Sequence, residues 1–152
     1  MTATFLKRAL LAFWAAWLTV VLTTNVLDGL KALGLLAPSW PFSSGNYGFL
    51  SVTTARYRPP AWLNVVLFLG VIFWEGASAV LFWLAWWTFR RPGAGTRWRY
   101  AAFTSALSLW LAFAIADEVF ITYEVEGTHL RLFIAQLLTL LAVELLPEAG
   151  HS

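Results

Sequence analysis

Residues 61–89 form one unbroken apolar run whose single ionisable side chain is Glu75. At a rise of about 1.5 Å per residue, roughly 20 apolar residues in a helix cross the hydrocarbon core of a bilayer, so this run is long enough to span. Residues 9–30, 100–123 and 130–146 read the same way. Lipid-exposed backbone must satisfy its own hydrogen bonds, which makes each span helical. The period-two alternation of membrane barrel strands is absent. The expected fold is therefore all-α: a four-helix transmembrane bundle, up-down-up-down, in a single integral membrane domain covering residues 1–152. A long aromatic-rich loop is expected between the first and second helices.

Charged residues make up 12% of the chain and aromatic residues 17%. Soluble domains carry about 25% charged residues, so lipid is the expected solvent and first partner. The net charge of +2 is not gathered on one soluble face, and no nucleic-acid partner is expected. There is no cysteine, which excludes disulfides, thiolate-held iron–sulfur clusters and covalent c-type haem. His129 and His151 are the only imidazoles and both lie outside the spans, so a bis-histidine haem is not expected. His129 reads as a solvated residue at a turn. No Gly-rich phosphate loop, HExxH or nucleophile elbow is present, and Gly93 to Gly95 is too short to cradle a phosphate. The chain is thus expected to be neither an enzyme nor a holder of a metal or cofactor.

The first span follows a short basic region (Lys7, Arg8). Its apolar run outlasts the core of a signal peptide and no A-x-A site follows, so it reads as a retained span. Residues 30–60 hold Pro38, Pro41, Gly45, Asn46, Gly48, Pro59 and Pro60 among Trp40, Phe42, Tyr47 and Phe49. Turn residues mixed with aromatics suit a loop packed on the membrane surface or the bundle mouth. Residues 90–99 read as a basic turn, and residues 123–129 (YEVEGTH) as a second tight turn. Lys7, Arg8, Arg90, Arg91, Arg97 and Arg99 would lie on one side, against Lys31, Arg56, Arg58 and Arg131 on the other. Six against four predicts that the first side, with both termini, is cytoplasmic.

Ionisable groups are costly deep in a bilayer and mark polar sites. At about 100° per residue, Asn64, Glu75 and Ser78 share a face of the second span. Thr104, Ser108, Glu118 and Thr122 form a stripe on the third, from which Asp117 points away. Asp28, close to Asn25, and Gln136 supply the first and fourth spans. Counted from the outer span ends, Asp28, Asn64, Glu118 and Gln136 fall within roughly 10 Å of the surface and Glu75 near 20 Å. The expected intramembrane polar site is Glu75, Glu118, Asp28, Asn25, Asn64 and Gln136, an outward pocket with Glu75 at its base. Arg56, Arg58 and Arg131 are the expected outer counter-charges. Glu75 itself is expected to carry a proton and to hydrogen-bond across helices. The same residues could equally serve only to hold the helices together, a role worth about 0.6–2 kcal/mol per pair.

The segment TTNVLDGL, the aromatic loop that follows it, and WEGASAVLFWLAWWTFRR in the second span resemble a bacterial family of small four-span integral membrane proteins of unknown function. Asn25, Asp28 and Glu75 stand at that family's polar positions, Glu118 in ADEVF matches a family Glu, and Thr24 replaces the first of the family's paired Asn. The resemblance implies the four-span topology and a bacterial inner membrane. It implies no activity.

The expected function is that of a non-catalytic accessory or assembly subunit within a larger membrane complex, such as a respiratory or photosynthetic electron-transfer complex, with other membrane subunits as partners. The alternative is a small proton-coupled carrier or channel that uses Glu75, with Asp28 and Glu118 at its mouth. An intramembrane enzyme or quinone-site component lacks a nucleophile–base pair.

Overall fold

A computed structural model describes residues 3–147, which leaves His151 outside the described residues. Among the described residues five helices follow one another: α1 (Ala3–Ala32), α2 (Asn46–Thr54), α3 (Ala61–Thr88), α4 (Ala94–Phe120) and α5 (Tyr123–Leu145), with a 3-10 turn at Ala55–Tyr57. There is no strand among the described residues. Four of the helices, all but α2, are long and apolar enough to cross a membrane.

The helix ends have local causes. Beyond α1, Gly34 sits at φ 72°, the Leu35 amide donates to the Leu30 carbonyl at 2.9 Å, and the Gly34 amide donates to that of Lys31 at 3.0 Å. This left-handed cap satisfies carbonyls that a helix end leaves open. The α4 end closes with the same pattern: the Thr122 amide donates to the Asp117 carbonyl at 2.9 Å and the Ile121 amide to that of Glu118 at 3.4 Å. Here the left-handed position is filled by Ile121, at φ 56°. At the start of α3, Pro60 has no amide hydrogen to leave unsatisfied, and its carbonyl accepts from the Leu63 amide at 2.9 Å.

Two expected turns are shorter than the sequence suggested. Residues 123–129 are helical and open α5. Glu124 and Glu126 lie in its first turn, where negative charge complements the helix dipole, so YEVEGTH starts a helix instead of bending the chain. On the basic side the helix resumes at Ala94, taking Arg97 and Arg99 into α4. The connection between α1 and α3 is also not all loop, since α2 packs on both neighbours.

Buried positions on α1 include Lys7, Leu11, Trp14, Leu18, Asn25 and Asp28, and on α3 Glu75, Ser78, Phe82 and Ala85, with Phe89 just past its end. Alternating steps of three and four residues are the seam of helices packed at a shallow angle. Ala15, Ala79, Ala85, Ala102 and Ala106 are buried along these seams and let backbones approach. Between them Phe82 and Phe103 meet edge-on with centroids 5.0 Å apart. The order of contacts is reversed between α1 and α3: Gly29 lies against Phe68, Leu22 against Gly76, and Arg8 against Trp86. A close approach occurs at Gly95, where a Cβ would fall 2.7 Å from the Thr88 carbonyl oxygen and 2.8 Å from that of Phe89.

Tryptophans tie the helices together through their single N–H donors. Trp14 donates to Thr139 Oγ1 at 3.1 Å, Trp83 to Thr19 Oγ1 at 3.1 Å, Trp74 to the Ser105 carbonyl at 3.0 Å, and Trp110 to Gln136 Oε1 at 2.9 Å. Trp14 and Trp110 are buried and Trp74 and Trp83 are partly exposed, but each spends its one donor on a neighbouring helix.

Candidate functional site

The buried carboxylate and carboxamide side chains gather in two groups on different helices. The first joins α1, α2 and α3. Asn25 is 1% exposed and Glu75 2% exposed. The Asn25 side-chain amide nitrogen donates to both Glu75 carboxylate oxygens, at 2.8 Å to Oε1 and 2.7 Å to Oε2. The Asn25 carbonyl oxygen accepts in turn from Asn46 Nδ2 at 2.8 Å. A hydrogen-bonded chain thus runs from the first residue of α2 through α1 to the middle of α3.

Asp28 and Asn64 anchor α2 on either side of that chain. The N-cap of α2 is Gly45, which has no side chain to accept from the helix's first amides. Asp28, one helix away, does so: its Oδ2 accepts from the Tyr47 amide at 2.8 Å, placing a carboxylate at the positive end of α2. The Thr54 hydroxyl at the other end of α2 donates to Asn64 Oδ1 at 2.8 Å. Lys31 donates to Ser43 Oγ at 3.1 Å and to the Trp40 carbonyl at 3.2 Å, which holds the segment before α2.

The second group joins α4 and α5. Asp117 is 5% exposed and its Oδ2 lies 2.5 Å from His129 Nδ1, while its Oδ1 accepts from the Thr122 hydroxyl at 3.1 Å. The His129 ring stacks on Phe113 at 4.8 Å and on Trp110 at 6.4 Å. Gln136 is fully buried; its oxygen accepts from Trp110, and its amide nitrogen has no hydrogen-bond partner. No hydrogen bond joins the two groups among the described residues. Nor do three His, Asp or Glu side chains come together there to hold a metal ion.

Scans against family models, curated proteins and solved structures find no match to this chain.

Of the residues expected to share one pocket, Asn25, Asp28, Asn64 and Glu75 lie in the first group and Gln136 in the second. Glu118 belongs to neither: it is exposed, and Asp117 takes the buried position. The expectation set the phase of the third span by its polar residues. Packing sets it by the stripe Phe103, Ala106, Trp110 and Phe113, which continues to Asp117 in helical steps. The depth estimate is also corrected. A count from span ends requires level ends, but Gly29 packs on Phe68, so α3 begins beyond the level at which α1 ends, and Glu75 sits beside Asn25.

Arg56, Arg58 and Arg131 do not neutralise these carboxylates. All three are exposed; Arg131 donates to the Gly127 carbonyl at 2.7 Å, and none forms an ion pair among the described residues. Neutral donors satisfy Glu75 and Asp28 instead. The contributions of Asn46, Asp117 and His129 were missed from sequence. Asn46 looked like an ordinary turn residue. His129 carries a usable signal, since it stands seven residues before Gln136 and fourteen before Val143 on one helical seam.

Proposed function

We propose that the chain is a non-catalytic accessory or assembly subunit of a larger membrane complex, with an electron-transfer complex the first assembly to examine. In this reading its four long helices run up-down-up-down through a bacterial inner membrane. The reversed contact order of α1 and α3 supports that topology, and the six-to-four division of basic residues supports cytoplasmic termini. The resemblance to small four-span bacterial proteins belongs to the same proposal.

The observation that carries it is where the polar groups are used. Asn25 with Glu75, Ser78 with Ser105, Asp117 with His129 and Trp110 with Gln136 are paired inside the bundle, and Phe82 and Phe103 fill the space beside them. What the long helices turn outward is apolar and aromatic: Val66, Phe73, Val80 and Trp87 on α3, and Ile134, Leu138 and Leu141 on α5. A molecule built this way acts through its surface, by packing against lipid and other subunits. Mild detergent extraction, native-membrane pull-down and mass spectrometry test it. A defined set of membrane subunits recovered in constant ratio is the expected result, and a monodisperse particle without partners refutes it.

One observation favours a second reading, a small proton-coupled carrier or channel. The Asn46–Asn25–Glu75 chain links a mid-helix carboxyl group to the α2 end of the bundle. Proton flux into liposomes, lost in Glu75→Gln, would select it over the first reading.

A further inference from the structure

A cleft of ≈ 410 Å³ opens where α1 begins and α3 ends, far from both polar groups, lined by Thr4, Phe5, Arg8, Ala9, Trp86 and Arg90. The Arg8 guanidinium lies 5.2 Å from the Trp86 ring centroid, so a cation–π contact holds it in place. Its Nε is enclosed and has no hydrogen-bond partner. Neither Arg8 nor Arg90 pairs with a carboxylate among the described residues. On the same end, Arg99 engages Glu144 at 3.2 Å, and Arg97 lies over Trp98.

An arginine held against an aromatic wall without a counter-charge has lost part of its hydration and gained little in return. The missing component is an anion. The planar fork of arginine matches a tetrahedral oxyanion, and charge-assisted bonds of this kind are strong. Phe5, Ala9 and Trp86 give the cleft an apolar wall beside the two cations. It lies at the ends of membrane-length helices, where headgroups sit, and is larger than a bare phosphate needs. Together these features fit a phosphate ester that carries hydrocarbon.

We propose that this cleft binds the phosphate group of an anionic phospholipid, with Arg8 and Arg90 as its donors and the acyl chains leaving along Phe5 and Ala9. The site does not depend on whether the chain is a subunit or a carrier.

Native mass spectrometry of the full chain, released from micelles doped with equal phosphatidylglycerol and phosphatidylcholine of matched acyl chains, tests this. Phosphatidylglycerol is expected to be retained about tenfold over phosphatidylcholine. Arg8→Gln/Arg90→Gln is expected to abolish that preference. Ala9→Trp fills the cleft with both arginines kept, so it is expected to do the same and carries the test if the double variant does not fold. Arg56→Gln/Arg58→Gln, at the other end of the bundle, should leave the preference intact. Equal retention of the two lipids by the wild type overturns the proposal, as does a preference that survives both cleft variants. Excess inorganic phosphate should not displace the lipid; complete displacement would mark a free-anion site and overturn the lipid assignment.

Discussion

The side-chain amide nitrogen of Asn25 lies within 2.8 Å of both carboxylate oxygens of Glu75, joining α1 to the middle of α3. No other side chain among the described residues donates to Glu75. Both partners are buried, so the pair stands or falls together: removing one leaves the other unsatisfied in an apolar setting.

Asn25→Leu is therefore expected to destabilise the bundle by about 1–3 kcal/mol, the cost of leaving a buried polar group unpaired. Glu75→Gln retains an acceptor oxygen and should cost nearer 0.6 kcal/mol, roughly the mean for a side-chain hydrogen bond between membrane helices. Unfolding in mixed micelles measures both. The double variant Asn25→Leu/Glu75→Leu should recover part of the loss, and strict additivity would argue against the coupling.

Asp28 serves α2 rather than the core of the bundle. Asp28→Ala removes the carboxylate that accepts from the Tyr47 amide, and Asn46→Ala removes the donor to Asn25. Each is expected to speed amide hydrogen exchange across residues 46–54, with opening made easier by about 0.5–1.5 kcal/mol. Exchange in α4 and α5 should stay unchanged.

The neighbours Asp117 and Glu118 should behave oppositely. Asp117→Ala strips the partner from His129 and Thr122 and is expected to lower the unfolding midpoint clearly. His129→Ala added to Asp117→Ala should cost less than His129→Ala alone, because the Asp117 interaction is already gone and only the stacking on Phe113 and Trp110 is lost. Glu118→Ala changes an exposed side chain, and its midpoint should match the wild type.

Gly95 permits the close approach of α4 to the end of α3. A methyl group there would press on two backbone carbonyl oxygens, which cannot swing aside as side-chain ends can. Gly95→Ala is expected to cost about 1–3 kcal/mol through overpacking, read as a lowered thermal midpoint.

Ile121 occupies a left-handed backbone position at the end of α4 while its side chain is half exposed. A β-branched residue is strained there and glycine is not. Ile121→Gly is expected to stabilise by about 1 kcal/mol, since little packing is lost. A lowered midpoint would show that the side chain contributes more than its exposure suggests.

Much of the architecture was legible in residue order because span length and apolar content respond to one requirement, the thickness of an apolar medium. The four long helices followed from it, and so did the expectation that Glu75 would hydrogen-bond across helices. The single pocket did not. Gln136 joined a separate group, and Glu118 yielded to Asp117, because α4 is phased by Phe103, Ala106, Trp110 and Phe113 and not by its scattered polar residues. The α2 helix was hidden because the acceptor for its Tyr47 amide, Asp28, comes from another helix, and the segment itself supplies only Ser44, which accepts from the Asn46 amide at 3.2 Å.

Residue order settled which segments are helices of membrane length and that Glu75 would need a partner, since hydrophobicity and backbone hydrogen bonding act within a segment. Tertiary structure chose that partner, placed Glu75 level with Asn25, and turned Asp117 inward. Those outcomes depend on the axial offset and rotation between helices, which are set by interdigitating side chains from two segments at once.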